Sequence, residues 1–410
     1  MNEPATGTRP GAAVAVTTLA LGVDMFLYGS IVPLLPDLPA VAGSPLTAGV
    51  LFAVYAAALL AATPFVGVWT DRRGPRGPLL AGLLGMAAST ALFALAVDMD
   101  GASGLTLLLL ARAAQGVAAA ASWTAGLALI AATHEPDQRG RVMGLALSAI
   151  GIGVLLGPAV SGVLSDAWGA RAPFLVIAVL AAGDAVARLV LVKETPALEV
   201  RTPYRVVLRG PRVGLLIVLT GLGAAAVAFP EPVLPLHLDD LGLGTTGIGL
   251  VFAAAALGGS LAAPVAGVLA DRAGATRIAS AGALVCALGF LLAGRDSTAW
   301  SVTGLIIVGS GAQFVLAPTL VLVGTLAEHT RPAAYGAAYA VYNLAYTGGL
   351  GLAPILAGTT ARAVGVPTTA LVACGLSVAV AAGLLLRRDR PPAGSTAAPT
   401  PTRPGSATEA

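Results

Sequence analysis

Among the ionisable side chains inside the long apolar runs of this 410-residue chain, where charge is costly, three stand out. Asp24 lies in ALGVDMFLYGSIVPLLP, Arg112 in LLLLARAAQGVAAAA and Glu231 in AFPEPVLPLHL. No base stands within one turn of Asp24 along the chain. A lone carboxylate in a low-dielectric setting can hold and release a proton or pair with a cation, and the two uses exclude each other. Such competition is the chemistry of exchange: a proton displaces a cation, and a cation displaces a proton. Neutralisation of Asp24 by Arg112 across a helix bundle is the competing reading. Arg112 itself either faces a cavity or bonds backbone carbonyls of the run that holds Asp24. Asp184 and Arg188, four residues apart, can pair on one helix face and are read as structural. Catalysis has no comparable support, because nucleophile–base pairs, metal clusters and phosphate loops do not emerge. The chain therefore reads as a non-enzyme without cofactor or metal. Cys286 and Cys374 sit in apolar blocks as small buried side chains, and the three histidines are scattered.

These groups need helices to position them. The chain is 57% hydrophobic and 10% charged, against about 25% charged for a soluble protein. A spanning helix takes about 20 apolar residues, and twelve such blocks can be marked: 12–36, 46–69, 78–97, 103–132, 142–164, 172–192, 213–238, 246–270, 277–294, 299–326, 334–360 and 367–386. The 52 glycines suit helices packed closely in lipid. The opening MNEPATGTRPG has no basic leader region, so the first block is expected to remain as an anchor. The Pro/Ser/Thr-rich residues 388–410 are expected to be disordered. With both termini placed in the cytoplasm, 18 of the 23 Lys and Arg fall inside and three outside. The net charge of +3 thus follows membrane orientation, with no nucleic-acid surface implied.

The chain also repeats itself. GVWTDRRGPRG at 67–77 returns as GVLADRAGATR at 267–277. Pro33–Pro36 (PLLP) returns as Pro232–Pro235 (PVLP), and Gly140, Gly153, Pro158 and Gly162 answer Gly336, Gly349, Pro354 and Gly358. Three regions at nearly one offset divide the chain into six-helix halves, 1–192 and 213–387, joined by a basic linker at 193–212. Against this repeat Glu231 lies eight residues beyond the position of Asp24, about 12 Å along a helix. It is either a second proton site or an acid in a watery outer mouth.

The doubled phrase resembles the loop signature of the major facilitator superfamily, carried here by Gly67, Asp71, Arg72, Gly74 and Arg76 and again by Gly267, Asp271, Arg272 and Gly274. The resemblance implies an all-α membrane fold of twelve transmembrane helices in two halves, with both termini cytoplasmic. It also implies that Asp71 and Asp271 latch the cytoplasmic side against helix N-termini, where a carboxylate is favoured. Gly67 and Gly267 are expected to let their helices touch a neighbour. Arg112, Gln115 and Gly116 resemble a signature of drug–proton antiporters, in which the arginine is implicated in proton transfer. Gly153, Gly157, Pro158 and Gly162 resemble the antiporter signature of the fifth helix, with Ser161 in place of one glycine. Helix packing alone would also explain those glycines.

Asp24, Glu231, Asp184, the loop QRGRVMG and the run YGAAYAVYNLAYTGG together resemble the vesicular amine transporters. In that family the first acid engages a protonated amine and later acids help couple protons. Three positions depart: Asn343 matches an acid, Tyr55 matches a lysine, and its acidic partner falls near Ser377. Losing both members of a buried ion pair together is coherent, since one alone would be unpaired. Tyr28, Tyr339, Tyr342 and Asn343 are expected to line a central cavity and stack on flat or cationic compounds. Packing anchors are the equal alternative for those tyrosines. The expectation is a monomeric, proton-coupled antiporter of the cell membrane exporting amphiphilic, cationic or aromatic small molecules or drugs, a role in antibiotic resistance. A dedicated metabolite exporter, a proton symporter and a membrane sensor are the alternatives.

Overall fold

The computed structural model describes residues 10–134, 136–191, 207–210, 212–328 and 335–386. The N-terminal tail, most of the linker and the C-terminal tail lie outside the described residues. Every regular element among the described residues is helical. The first half carries α1 (Pro10–Ser30) with a 3-10 turn at Val32–Leu34, α2 (Pro45–Arg73), α3 (Arg76–Ala96), α4 (Gly101–Thr133), α5 (Pro136–Trp168) and α6 (Ala172–Leu191). The second carries α7 (Val213–Ala228), α8 (Leu234–Asp240), α9 (Thr245–Ala273), α10 (Ala275–Ala293), α11 (Thr298–Glu328) and α12 (Tyr335–Leu386).

Ten described helices are long and apolar enough to cross a bilayer. This differs from the twelve expected blocks in two places. Block 213–238 breaks into α7 and α8, because Pro230 and Pro232 lack the N–H that a continuing helix needs. Blocks 334–360 and 367–386 run together as the 52-residue α12, interrupted by one non-helical residue, Gly365, at φ 78°. Large apolar side chains, among them Phe65, Val179, Val190, Leu261 and Leu386, cover the outside. An apolar exterior of this extent calls for lipid as solvent.

The repeat seen in the sequence is a repeat of structure. Helices α2 and α9 are each 29 residues long, each holds a proline at the same place (Pro64, Pro264), and each ends at a glycine of the doubled loop phrase. Gly74 and Gly274 have φ of 76° and 91°, which a side chain would resist. That conformational need accounts for the loop glycines. Gly67 and Gly267 behave otherwise than expected: a Cβ on either would meet nothing within 4 Å. These helices do not touch a neighbour there.

Within the first half α1 packs on α4, α5 and α6, α2 on α4, and α3 on α4 and α6. Within the second, α11 gathers α7, α9 and α10, and α12 packs on α7 and α10. Two helix pairs join the halves, α5 with α9 and α2 with α12. Both pairs meet tightly at the face opposite the doubled loops, here termed the distal face. A Cβ on Gly249 would collide with the carbonyl of Pro158, and one on Gly49 with the carbonyl of Pro354. Gly162 likewise abuts the backbone of Thr245 and Thr246, and Gly358 that of Pro45 and Leu46. Gly153 and Gly157 serve a different contact, lying against the α1 backbone at Gly22 and Phe26. The fifth-helix glycine stripe therefore divides its work between packing inside one half and sealing against the other.

Candidate functional site

The centre of the molecule is built around Arg112 of α4, which is fully buried. Its Nε donates to the carbonyl of Leu51 at 3.1 Å, and its Nη1 donates to Gln115 Oε1, one turn away, at 3.0 Å. The carbonyl belongs to α2, not to α1 as one sequence reading had it. Gln115 extends the chain of contacts to Thr90 of α3 at 3.5 Å. Three aromatic rings surround the guanidinium: Tyr55 at 4.5 Å, with Tyr28 and Phe52 each at 5.8 Å. A desolvated cation over aromatic faces gains about 2 kcal/mol or more. The residue after Gln115 explains how α4 comes close enough. A Cβ on Gly116 would collide with the carbonyl of Tyr55, so the helices approach at the level where Tyr55 acts.

Each of two buried carboxylates is held by neutral donors beside this cation. The Tyr55 hydroxyl donates to both oxygens of Asp24 at 2.9 Å, and Trp123 Nε1 donates to Oδ2 at 2.7 Å. The Tyr28 hydroxyl donates to Glu231 Oε2 at 2.7 Å. Tyr28 follows Asp24 by one turn of α1, and its ring lies 5.5 Å from that of Tyr55. Arg112 is within electrostatic reach of both acids. The reading of Glu231 as an acid in a watery mouth does not hold, since it is buried at 7% exposure. The break between α7 and α8 puts it in a non-helical segment, which turns it inward to Tyr28. That hydrogen bond joins α1 of the first half to the second half at the molecular centre.

The expected residues divide when placed in space. Asp24, Arg112, Gln115, Glu231 and Tyr28 form one connected cluster. Tyr342 stacks on Tyr346 at 6.2 Å, and Tyr339 meets Tyr342 edge to face at 6.4 Å. Tyr346 lies nearest the cluster, interacting electrostatically with Glu231 and Tyr28. Tyr339 and Tyr342 pack on the hydrophobic cluster of α7, α11 and α12, which favours the packing reading for their outer edges. Asn343 is half-buried on the same helix. Asp184 and Arg188 are both buried, yet neither Asp184 oxygen has a hydrogen-bond partner. The expected hydrogen-bonded pair is therefore not formed. At the loops, Asp71 and Arg76 are half-buried, whereas Arg72, Asp271 and Arg272 are exposed. Cys286 and Cys374 are free thiols, and Cys374 is only half-buried. The described residues hold no group of His, Cys, Asp or Glu suited to a metal ion.

Three members of the cluster, Tyr55, Trp123 and Tyr346, were absent from the sequence-based site. Tyr55 had been noted only as standing where related chains carry lysine. Its hydroxyl donates to both oxygens of Asp24 while adding no charge. Replacing Tyr55 with phenylalanine is expected to destabilise the protein by about 1.5–3 kcal/mol, the value of a hydrogen bond to a charged group. Leucine at 55 should cost more, because the ring over Arg112 is lost as well. Thermal unfolding in detergent should rank wild type above Phe and Phe above Leu; equal midpoints for all three would contradict this assignment.

A helical bundle of this construction, with a buried charged centre on a pseudo-symmetric boundary, is a membrane transport fold. The chain belongs to the major facilitator superfamily, whose family model matches residues 15–337 and 213–409. It is similar to the synaptic vesicular amine transporter of Homo sapiens, at 29% identity over 78% of this chain and 62% of the relative. It is also similar to the chromaffin granule amine transporter of Homo sapiens, at 31% identity over 78% and 61%. The chain thus spans about three fifths of the length of these relatives. A probable vesicular acetylcholine transporter-B of Danio rerio is 29% identical over 92% of this chain and 79% of its own. Among solved structures, an inward-facing, unoccupied bacterial homolog of the human lysosomal transporter Spinster superposes with TM-score 0.71 at 15% identity, covering 92% and 95%. A POT family transporter in complex with 5-aminolevulinic acid gives 0.72 at 15% identity, covering 91% and 95%. These superpositions establish the fold.

Proposed function

We propose that this chain is a proton-coupled antiporter that exports amphiphilic amines and related cationic drugs across the cell membrane by alternating access. The observation that carries the reading is the pair of buried carboxylates, Asp24 and Glu231, held by neutral donors beside one arginine. Asp24 accepts hydrogen bonds from groups that a substrate ammonium can replace without breaking an ion pair. It serves as cation site and proton site in turn. Glu231 is the coupling acid, because its bond to Tyr28 ties the halves together and depends on its protonation. Arg112 balances both acids and holds the aromatic residues in place, with Gln115 orienting it. Tyr28, Tyr346 and Tyr342 offer ring faces to the substrate, with Tyr339 and Asn343 further along α12. The similarity to amine and acetylcholine transporters supports a cationic substrate class.

In this reading the chain crosses the membrane twelve times. The broken pair α7–α8 makes one crossing, and α12 makes two, divided at Gly365. Two six-helix bundles, 1–192 and 213–387, rock about the central site as a monomer, linked by 193–212 and followed by a tail at 388–410. Both termini and the doubled loops face the cytoplasm, and the distal face looks outward. The loop acids Asp71 and Asp271, with Arg72, Arg76 and Arg272, close the cytoplasmic side in the opposite state.

The test is purified protein in liposomes loaded acid-inside with a pH dye, challenged with cationic, neutral and anionic compounds. Cationic amines should drain the gradient and anions should not. Direct uptake of a substrate with no proton movement would overturn the coupling, and anion-selective exchange would overturn the substrate class.

A further inference from the structure

The two halves present their matching helices, α2 and α9, to the distal face with different N-terminal caps. Helix α2 is capped within its own half: Ser44 accepts a hydrogen bond from the Thr47 amide at 3.3 Å. Its counterpart α9 begins after Gly244, which has no side chain to cap with. The cap comes instead from the other half of the molecule. Asp166, at the end of α5, accepts from the Thr246 amide at 3.1 Å and from the Thr246 hydroxyl at 2.5 Å through the same oxygen. Asp37, in the turn after the 3-10 segment, accepts from the Thr245 hydroxyl at 2.6 Å. A carboxylate at a helix N-terminus satisfies free amides and meets the positive end of the helix dipole.

The related contact on the other side of the pseudo-axis has no equivalent cap among the described residues. There Arg362 stands at the position of Asp166 and Leu46 at that of Thr246. Backbone contacts at glycine seal both sides, but among the described residues polar groups fasten one side only. We infer that Asp166, by capping α9 from the opposite half, is a latch that holds the distal face closed and must be released each time that face opens. Opening leaves the first turn of α9 without its cap, so the latch weights the balance between states. The same edge carries an opposing load. Asp239 and Asp240 stand at this edge, where Asp239 lies within electrostatic reach of Asp37 and Asp240. Like charges thus crowd the edge that Asp166 and Asp37 fasten. This inference rests on membership of the superfamily and is independent of the substrate and of the coupling ion.

A cap and a latch can be told apart at Gly244. Its backbone is extended, φ −76° and ψ 174°, and a Cβ there would meet nothing within 4 Å. Gly244→Ser therefore gives α9 a cap of its own, as Ser44 gives α2. The experiment is pulsed electron spin resonance in lipid nanodiscs between labels at Asp100→Cys and Asp296→Cys, two exposed distal positions on opposite halves. Cys286 and Cys374 are replaced by alanine in this background. Asp166→Ala should raise the population with a widened distal distance about tenfold, ~1.4 kcal/mol. Asp166→Asn should do so by less. Gly244→Ser should shift the population in the same direction, because an N-cap serine accepts from the amide two or three residues on and can take over the Thr246 amide when Asp166 leaves it, while leaving the thermal midpoint unchanged or higher. If Asp166 merely stabilises α9, the serine will leave the distances unchanged or favour the closed form. That result, or unchanged distances in both the Asp166 and Gly244 variants, overturns the latch.

Discussion

Asp24→Asn should abolish transport of cationic amines while leaving the protein folded. The substitution keeps the side-chain volume, and the amide oxygen can still accept from Tyr55 or Trp123, so the local packing survives. It removes the negative charge that a substrate ammonium would meet in a buried site. Loss of one member of a buried charge pair costs about 2–5 kcal/mol, a fall in affinity of roughly 30-fold to several thousandfold. Binding of a fluorescent amine and substrate-driven proton movement should fall together. If binding persists and only proton movement is lost, Asp24 is a coupling acid and the cation is held elsewhere, with Glu231 the next residue to replace. If both persist, the assignment of Asp24 is wrong.

Arg112→Met should have the larger effect on the protein itself. Methionine fills most of the volume, but it makes no bond to Leu51 or Gln115 and places no charge among Tyr28, Phe52 and Tyr55. Asp24 and Glu231 lose the cation within their reach. Removing one partner from a buried ionic group costs about 3–5 kcal/mol. The expected result is poor yield and a strongly lowered thermal midpoint, with transport lost. Because the cost comes from uncompensated acids, Asp24→Asn added to Arg112→Met should recover part of the stability. A double-mutant cycle of thermal midpoints measures that recovery. Strict additivity of the two substitutions would show that Arg112 does not stabilise the centre through Asp24, leaving its bonds to Leu51 and Gln115, its charge beside Glu231 and its packing as the contribution.

Much of this centre was legible before any coordinates. Charged residues inside apolar runs announce themselves, which is why Asp24, Arg112 and Glu231 stood out. The doubled loop phrase and the matched Gly and Pro positions exposed the two-part plan. What the runs conceal is rotation and depth. A stretch that is apolar all round has no preferred face, so Tyr55 and Trp123 could not be turned toward Asp24 from their spacing. Glu231 stayed open between a proton site and a watery mouth, because spacing along an unbroken helix does not show that α7 ends at Ala228 and that the acid between Pro230 and Pro232 turns inward to Tyr28. Gly67 and Gly267 were read as packing residues, yet the glycines with a structural demand in the same phrase are Gly74 and Gly274. The pairing of Asp166 with Thr246 joins residues 80 apart on different halves, and no local pattern signals a cap supplied from so far away.

The distal face closes on two edges at once, Gly249 against Pro158 on one and Gly49 against Pro354 on the other. A door bolted along both sides cannot swing; it has to lift away whole. The rigid-body rocking proposed above would free both together, whereas a hinge on either one would leave that edge closed. Bulk introduced at Gly249 alone would therefore wedge one edge and turn the intact Gly49 edge into a pivot. The motion would become lopsided.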